Sequence, residues 1–336
     1  MRILVTGGAG FIGSHYVRTL ASGGYPACAG AEVVVLDKLT YAGNPANLAP
    51  FLEESADRSA DGSSGRLSLV EGDILDRRLV DDLMVGTDLV VHFAAESHVD
   101  RSIAGAADFV MTNVVGTQTL LDAGLAAGVG RFVHVSTDEV YGSIDVGSWT
   151  ESQPLEPNSP YSASKAGSDL IARSYARTHG MDVVVTRCSN NYGPYQFPEK
   201  VMPLFVTNLI DGLKVPLYGD GENVRDWLHV ADHCRGLRLV LAKGAPGEVY
   251  NIGGGTELTN RELTGLLLAA CGADWSMVEQ APDRPGHDRR YSVDTTKIQR
   301  LGYAPQVDFA TGLTETVAWY RAHEAWWQPL QQKENA

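Results

Sequence analysis

Two short polar stretches carry side chains that could move a hydride and several protons on one substrate. The first, Val135-Ser-Thr-Asp-Glu-Val-Tyr-Gly142, follows the end of a predicted buried strand, Arg131–Ser136. The second, Tyr161-Ser-Ala-Ser-Lys165, is predicted as the first turn of a helix, because Ser159 can cap it and Pro160 suits its first position. Tyr161 and Lys165 then lie one turn apart on one helix face. We therefore expect a hydroxyl, two carboxyls, a phenol and an ammonium at one edge of a sheet.

A glycine-rich loop near the N-terminus predicts a dinucleotide site. Arg2–Thr6 is predicted as a short buried strand, and Gly7-Gly-Ala-Gly-Phe-Ile-Gly13 leads from it into a helix over about residues 14–22. Glycines lack a Cβ, so this backbone can turn tightly and approach a pyrophosphate at the helix N-terminus. An ordinary tight strand–helix turn is the alternative. The loop follows a strand and opens a helix, as cofactor binding requires.

The next two predicted strands end in residues suited to an adenosine. Val33–Asp37 ends in a carboxylate that can bind ribose hydroxyls and would repel a 2′-phosphate, which favours NAD over NADP. A solvated loop aspartate is the alternative for Asp37. Strand Leu67–Val70 is followed by Asp73 and Ile74, which could lie along the edge of the adenine ring.

A dense polar cluster follows the predicted strand Asp88–Phe93. The small pair Ala94-Ala95 permits close approach to a cofactor. Glu96, His98 and Asp100 could be considered as metal ligands, but no second ligand group has convincing spacing. The sequence therefore predicts no metal site.

Composition excludes several classes of function. The 336 residues suggest about two domains. A formal net charge of −14 argues against nucleic-acid and anionic-membrane partners. The four cysteines are scattered without a C-x-x-C pair, which predicts reduced thiols in a cytoplasmic protein. No apolar run approaches the roughly 20 residues needed to span a bilayer.

Alternating strands and helices in the N-terminal half predict an α/β fold, with a Rossmann-like doubly wound parallel sheet and a smaller, mixed C-terminal domain. We assign residues 1–186 to the NAD-binding domain, which we expect also to receive segments from about 226–250 and 291–305. Residues 187–336 are assigned mainly to substrate binding. Residues 53–66, rich in Ser, Asp and Gly, are predicted as a flexible surface insertion.

Two further features concern ligands and partners. Arg225, Arg284, Arg289 and Arg290 supply cationic forks suited to a diphosphate, although each alone is more often a surface ion-pair member. Helical segments near 103–127 and 160–179 could form a packing face for a partner subunit. A core face within the chain is the competing interpretation.

The pattern Gly7-x-x-Gly-x-x-Gly13 with Tyr161-x-x-x-Lys165 resembles the extended short-chain dehydrogenase/reductases over nearly the whole chain. Within that family the chain is similar to the dTDP-glucose 4,6-dehydratases. Four stretches carry this closer resemblance: His92–Ser102, Ser136–Gly142, Arg187–Pro194 and Arg284–Tyr291. The adjacent Asp138-Glu139 pair is its most specific sign, because the epimerases of the superfamily lack it.

The resemblance implies a homodimer with retained NAD+ that converts dTDP-glucose to dTDP-4-keto-6-deoxyglucose and water, in deoxysugar biosynthesis. Tyr161 would act as a phenolate on the C4 hydroxyl, its pKa lowered by Lys165 and the cationic nicotinamide ring. Thr137 could hold the C4 oxygen. Glu139 would remove the C5 proton and Asp138 would protonate the departing C6 oxygen. Neighbouring carboxyls can hold these opposite protonation states because like charges push their pKa values apart.

The resemblance also implies the residues that bind the two ligands. Those expected at the cofactor are Gly7, Gly10, Phe11, Ile12, Gly13, Asp37, Lys38, Thr40, Asp73, Ile74, Phe93, Ala94, Ala95, Ser97, Thr112, Tyr161, Lys165 and Asn191. Those expected at the substrate are Ser97, Thr137, Asn190, Lys200, Val201, Pro216, Leu217, Tyr218, Arg225, Asn260, Arg284 and His287.

Two other functions compete with the dehydratase. A sugar-nucleotide 4-epimerase would use Tyr161, Lys165 and NAD but would give Asp138 and Glu139 no proton to transfer. The other is a non-catalytic NAD-binding or scaffold protein on the same fold. The acid pair argues against the first, and the intact Tyr161 and Lys165 argue against the second.

Overall fold

A computed structural model describes residues 1–61 and 67–334, which form two lobes. The first lobe is built on a seven-stranded, wholly parallel sheet. Its strands are β1 (Arg2–Thr6), β2 (Glu32–Asp37), β3 (Leu67–Glu71), β4 (Leu89–His92), β5 (Arg131–Thr137), β6 (Val183–Cys188) and, from later in the chain, β10 (Val249–Ile252). Their order, β10-β6-β5-β4-β1-β2-β3, reverses between β1 and β4. Ligands of such sheets bind outside the carboxyl ends of the strands at this reversal.

Helices cover both faces of this sheet. They are α1 (Phe11–Ala21), α2 (Ala49–Asp61), α3 (Arg77–Met84), α4 (Val99–Ala104), α5 (Ala107–Phe109), α6 (Thr117–Ala127), α7 (Pro160–His179) and α9 (Val230–Lys243), with a π-helical stretch, Val110–Gly116, joining α5 to α6. Alternate residues of β1 enter opposite cores, Ile3 and Val5 on one face and Leu4 on the other. Burial on both faces explains why these strands are continuously apolar.

The second lobe is smaller and mixed. A three-stranded sheet contains β7 (Asn190–Tyr192), β9 (Val224–His229) and β11 (Glu257–Thr259), and β8 (Val215–Tyr218) pairs in parallel with β12 (Val278–Ala281). The remaining helices are α8 (Val201–Ile210), α10 (Asn260–Cys271), α11 (Thr296–Gln299), α12 (Phe309–Ala322) and α13 (Glu324–Glu334). Phe205, Leu267 and the fully buried Tyr320 and Trp327 form the core of this lobe.

The α/β architecture predicted from the sequence is confirmed. The segment around 226–250 places β10 beside β6 in the large sheet and α9 against α1, while 291–305 includes α11, which contacts β10. Within the described residues, no helix is long and apolar enough to cross a bilayer. All four cysteines are free thiols.

The prediction of a flexible surface insertion at residues 53–66 is corrected for residues 53–61, which belong to helix α2. Residues 62–66 lie outside the described part of the chain. The start of α2 is held to the fold by Leu48, which is fully buried, and by Phe51 and Leu52, which pack against the main core. Tertiary packing of this first turn outweighs the weak helix signal of the Ser- and Asp-rich sequence that follows.

Candidate active site

One cavity of about 470 Å³ lies at the carboxyl edge of the large sheet, between the two lobes. Every residue that the family resemblance implied at the catalytic centre, the cofactor or the substrate lines this cavity. Residues at the ends of β2, β5 and β6 and in the loops that follow β1 and β4 contribute one wall, and residues around α8, β8 and β9 contribute the other. The fold thus brings these separate stretches of sequence to one place.

The N-terminus of α7 carries Tyr161 and Lys165 into the cavity. Ser159 and Ser162 cap this helix reciprocally, each side chain accepting from the other residue's backbone N–H at 3.1 Å. Pro160 occupies the first turn, as predicted. Lys165 is buried and donates to the Val135 carbonyl at 2.9 Å. The cap and this hydrogen bond fix Tyr161 and Lys165 to the end of β5.

The two carboxyls lie on a 3-10 turn, Asp138–Tyr141, which we call the acid turn. Thr137 caps it: its hydroxyl accepts from the Glu139 backbone N–H at 3.2 Å and donates to Asp138 Oδ1 at 3.3 Å. Val140 and Tyr141 are completely buried beneath the turn. Asp138 and Glu139 consequently line the cavity beside Tyr161.

The surroundings of the two carboxyls are unequal. Burial, followed by the charges of Glu139 and Asp226, raises the pKa of Asp138 well above its usual value. Asp138 Oδ2 has no hydrogen-bond partner within the described residues. Burial also raises the pKa of Glu139, but three cations, Lys200, Arg284 and Arg225, oppose this effect. The site therefore favours a protonated Asp138 and offers Glu139 more support as a carboxylate.

The expectation that Lys165 lowers the pKa of Tyr161 is not met by the protein groups alone. Burial, followed by the negative charge of Glu139, raises the pKa of Tyr161 well above its usual value. Lys165 donates instead to the Val135 carbonyl, and burial lowers its own pKa. The apolar enclosure of the phenol, reinforced by the nearby carboxyls, outweighs the ammonium one turn away.

The cofactor end of the cavity fits a dinucleotide. Gly7 has a φ of +70°, and a Cβ there would lie 2.6 Å from the Ala94 nitrogen. At Gly13 a Cβ would lie 2.2 Å from the Gly7 oxygen, so the loop and α1 pack too closely for any side chain. A Cβ at Gly10 would meet only the Gly7 oxygen, at 3.4 Å, and Gly10 faces the cavity. Contacts within the protein therefore do not require a glycine at this position. A glycine at a helix N-terminus leaves room for a pyrophosphate to approach the backbone.

Asp37 lies at the end of β2 on the same wall. Its two carboxylate oxygens accept from the Ala9 and Leu39 backbone N–H groups, both at 2.9 Å. These bonds orient the carboxylate toward the position that a ribose takes in this fold. Lys38 and Asp73, also expected at the cofactor, form an ion pair at 2.7 Å.

The substrate end is cationic. Arg225 is buried, donates to the Asp288 carbonyl at 2.9 Å and lies 4.1 Å from the centre of the Tyr291 ring. Lys200 donates to the Ser97 carbonyl at 2.7 Å. Together with Arg284, these side chains give the wall a positive charge suited to a diphosphate.

The prediction that Arg289 and Arg290 also serve a diphosphate is wrong. Arg289 pairs with Asp220 at 2.9 Å, and Arg290 forms a two-point ion pair with Glu257. Neither is among the described residues that line the cavity. Both arginines form surface ion pairs, which was the alternative considered in the sequence analysis.

Several lining residues were missed by sequence reasoning. Cys188 ends β6, Ser189 follows it, Glu199 precedes Lys200, and Tyr291 ends the stretch that begins at Arg284. Each lies within two residues of an assigned residue or at the end of a stretch that carries the family resemblance, and this proximity was the available signal.

No metal site is formed within residues 1–61 and 67–334 by three or more His, Cys, Asp or Glu side chains. His98 instead caps α4, its Nδ1 accepting from the Arg101 backbone N–H at 3.4 Å. Its Nε2 faces Glu199 at 3.9 Å.

A family model and a curated relative match almost the entire chain. The family model described as GDP-mannose 4,6 dehydratase matches residues 4–316. The dTDP-glucose 4,6-dehydratase of Streptomyces niveus is 60% identical over 337 residues, which cover 100% of this chain and 97% of that protein.

Solved structures share the fold over the same length. A dTDP-glucose 4,6-dehydratase from Streptomyces venezuelae, crystallised with NAD and TYD bound, has 66% identity and a TM-score of 0.93, over 98% of this chain and 100% of that one. A UDP-glucose 4-epimerase from Thermotoga maritima, crystallised with UDP-glucose, has 33% identity and a TM-score of 0.85, over 96% and 99%. In sequence the chain is therefore more similar to this dehydratase than to this epimerase.

Proposed function

The chain belongs to the GDP-mannose 4,6 dehydratase family, and we propose that it converts dTDP-glucose to dTDP-4-keto-6-deoxyglucose and water. The observation that carries the proposal is the acid turn, which sets Asp138 and Glu139 beside Tyr161 in unequal surroundings. An oxidoreductase alone needs no such pair. A reaction that removes one proton and delivers another does.

NAD fits the glycine loop and Asp37, and the relative from Streptomyces venezuelae was crystallised with it. When bound, NAD+ would supply the acceptor for the hydride of C4 and the donor of that hydride to C6, and its positive ring would favour the Tyr161 phenolate. Tyr161 accepts the proton of the C4 hydroxyl. Thr137 holds the C4 oxygen, and Lys165 supplies a positive charge near the phenol.

The acid turn carries out the elimination. A C4 ketone acidifies the C5 proton, which Glu139 removes as a general base. Asp138 donates its proton to the C6 oxygen, so water leaves and a C5–C6 double bond forms. When the hydride is returned to C6, a proton is returned to C5, which completes the 4-keto-6-deoxy product. Burial of Asp138 keeps that proton in place until the oxygen departs.

We propose the remaining roles from the position of each residue. Arg225, Arg284, Lys200 and His287 hold the diphosphate and sugar. The segment Pro216–Tyr218 lies near the nucleoside, and Asn190 and Asn260 contact the sugar nucleotide. The free, largely buried thiols fit a cytoplasmic enzyme.

A sugar-nucleotide 4-epimerase is the second candidate, favoured by Tyr161, Lys165 and the fold shared with the Thermotoga maritima enzyme. Incubating purified protein with dTDP-glucose and no added cofactor separates the two. The proposal expects a 4-keto-6-deoxy sugar nucleotide. A galactose product would establish the epimerase instead, and no turnover would leave a protein that binds NAD without catalysis.

We also propose that the enzyme is a homodimer through α4–α6 and α7. Ile103, Val110, Met111 and Leu170 expose 41%, 47%, 46% and 55% of their surface. The inner faces of the same helices pack on each other and on the sheet. Outward apolar side chains on α4, the π-helical stretch and α7 suit the same surface of a second copy.

A further inference from the structure

A buried polar network lies directly beneath the active site. Arg187 on β6 is fully buried and donates from Nε to Asp169 Oδ2 at 2.8 Å. Its Nη1 donates to the Tyr141 hydroxyl at 2.7 Å, and that hydroxyl donates to Asn251 Oδ1 at 2.8 Å. His134 also faces Asp169, at 3.3 Å.

This network links the two catalytic elements. Asp169 belongs to α7, the helix that carries Tyr161 and Lys165, and Tyr141 is the last residue of the acid turn. Arg187 contacts both, and it is paired in register with Ser136 of β5 and Asn251 of β10. One guanidinium therefore joins the oxidising helix to the acid turn across the sheet.

Stability alone does not explain a fully buried ion pair. Desolvation of two charges costs about as much as their attraction returns, and well-packed apolar side chains are often as stabilising. Such a pair does fix geometry, because each hydrogen bond must be satisfied in one arrangement. Here the fork of Arg187 fixes the position of the Tyr141 hydroxyl.

The position of the acid turn depends on the Tyr141 hydroxyl more than the positions of Tyr161 and Lys165 do. At its start the turn has the Thr137 cap, and at its end the Gly142 N–H donates to the Glu139 carbonyl at 3.2 Å. Beyond these local bonds, the Tyr141 hydroxyl connects the turn to β6 and β10. Tyr161 and Lys165 are held separately, by the α7 cap and by Val135.

We propose that Tyr141, held by Arg187, is a positioning residue for the Asp138–Glu139 pair, so that elimination depends on its hydroxyl while oxidation at C4 does not. The inference rests on the proposed dehydratase function. Tyr141 is not among the described residues that line the cavity: its side chain is completely buried and stacks against Trp149 with ring centres 6.0 Å apart. It acts through the turn that it ends.

Tyr141→Phe tests the inference because it removes one oxygen and keeps the ring. A displacement of catalytic groups of the order of 1 Å can cost about 100-fold, so we expect elimination to slow by about 10- to 100-fold. Reduction of bound cofactor by dTDP-glucose should stay within about twofold of the wild-type rate. Reduced cofactor should therefore accumulate on the variant, visible by its absorbance in a single turnover.

Tyr303→Phe is the matched control. Tyr303 is also buried, and its hydroxyl donates to the Gly253 carbonyl at 2.9 Å, away from the acid turn. Both variants should lose thermal stability, but only Tyr141→Phe should accumulate reduced cofactor. If Tyr141→Phe does not fold, Asn251→Leu takes its place, since it removes the acceptor of the Tyr141 hydroxyl and keeps the pair of Arg187 with Asp169.

The outcomes distinguish failure of this inference from failure of the proposed dehydratase function. If the wild type forms no elimination product, the proposed function fails and the inference fails with it. If the wild type forms that product but the Tyr141 variant slows oxidation and elimination equally, or slows neither, the inference alone is overturned. Accumulation of reduced cofactor in Tyr303→Phe as well would also overturn it, because general loosening would then suffice.

Discussion

Exchanging the two carboxyls of the acid turn for their amides should block the reaction at different points. In Asp138→Asn, Glu139 still removes the C5 proton, so C5 should exchange with deuterated water while the C6 oxygen fails to leave. In Glu139→Gln, oxidation at C4 proceeds but C5 stays protonated, so exchange should be slow. Both variants should accumulate reduced cofactor.

The structure sets the expected size of each effect. Asp138 is 2% exposed and Oδ2 has no hydrogen-bond partner within the described residues, so the amide fits the same space. The main loss is then the transferable proton. General acid or base catalysis contributes roughly 10²–10⁴-fold, about 3–5 kcal/mol of transition-state stabilisation. We expect each variant to lose elimination activity within that range.

A substrate that carries fluoride at C6 separates the two roles. Fluoride leaves with little help from an acid, so Asp138→Asn should recover roughly the 10²–10⁴-fold that the missing proton donor costs. Glu139→Gln should recover far less, because the C5 proton must still be removed. The measurements are the rate of C6 elimination with both substrates and the deuterium content at C5 by mass spectrometry. Tyr161→Phe is the control, since it blocks oxidation and should be rescued by neither substrate.

The pH dependence gives an independent check. Protonated Asp138 is the active form, and burial raises its pKa, so elimination from dTDP-glucose should fall as the pH rises through that raised pKa. The rate of fluoride elimination should not show this decrease at high pH. Equal rescue of the two variants by fluoride, or rescue of Glu139→Gln alone, would refute the assignment even with the overall reaction intact.

Further predictions concern oxidation, cofactor, assembly and stability. Tyr161→Phe should slow reduction of bound cofactor by roughly 10²–10⁴-fold in a single turnover, and a wild-type rate would remove Tyr161 from the mechanism. Extraction of the purified protein should release NAD. Asp37→Asn should reduce the preference for NAD over NADP in reconstitution assays, and tightly bound NADP in the wild type would contradict the role of Asp37. Leu170→Asp should convert dimer to monomer in light-scattering measurements, and an unchanged mass would exclude this interface. Burial alone would raise the pKa of Asp169, but the bond from His134 and the charge of Arg187 hold it at about 2, below the usual 3.8. The stabilisation is therefore present above pH 3.8 and lost as the pH falls through about 2. Asp169→Asn should lower the free energy of urea unfolding at neutral pH by about 2 kcal/mol, with little difference from the wild type near pH 2.

Local signals predicted the parts of the site that short-range physics controls. Ser159 and Pro160 begin α7 as its sequence indicates, because a cap and a restricted φ act within one turn. The parallel sheet followed from the alternation of strands and helices. Since carboxyl ends of parallel strands share one edge, the glycine loop and the acid turn had to meet.

Long-range partners could not be predicted. Arg187 pairs with Asp169 across 18 residues and with Tyr141 across 46, and no local pattern marks either contact. The same limit explains the error over Arg289 and Arg290, whose partners Asp220 and Glu257 come from other parts of the second lobe. Helix α2 escaped prediction because tertiary packing of its first turn stabilises it.

Two adjacent carboxyls do not by themselves show which is the acid and which is the base. Their mutual repulsion raises the pKa of the pair without fixing which carboxyl keeps the proton. The assignment comes from what else each carboxyl faces. Asp138 is enclosed beneath the turn with the negative charge of Asp226 nearby, whereas Glu139 faces the cations Lys200, Arg284 and Arg225. Those cations belong to the substrate wall, so the second lobe both binds the anionic diphosphate and supports the Glu139 carboxylate. Binding of a diphosphate would partly neutralise these cations, raise the basicity of Glu139 and so strengthen the base when the substrate is present.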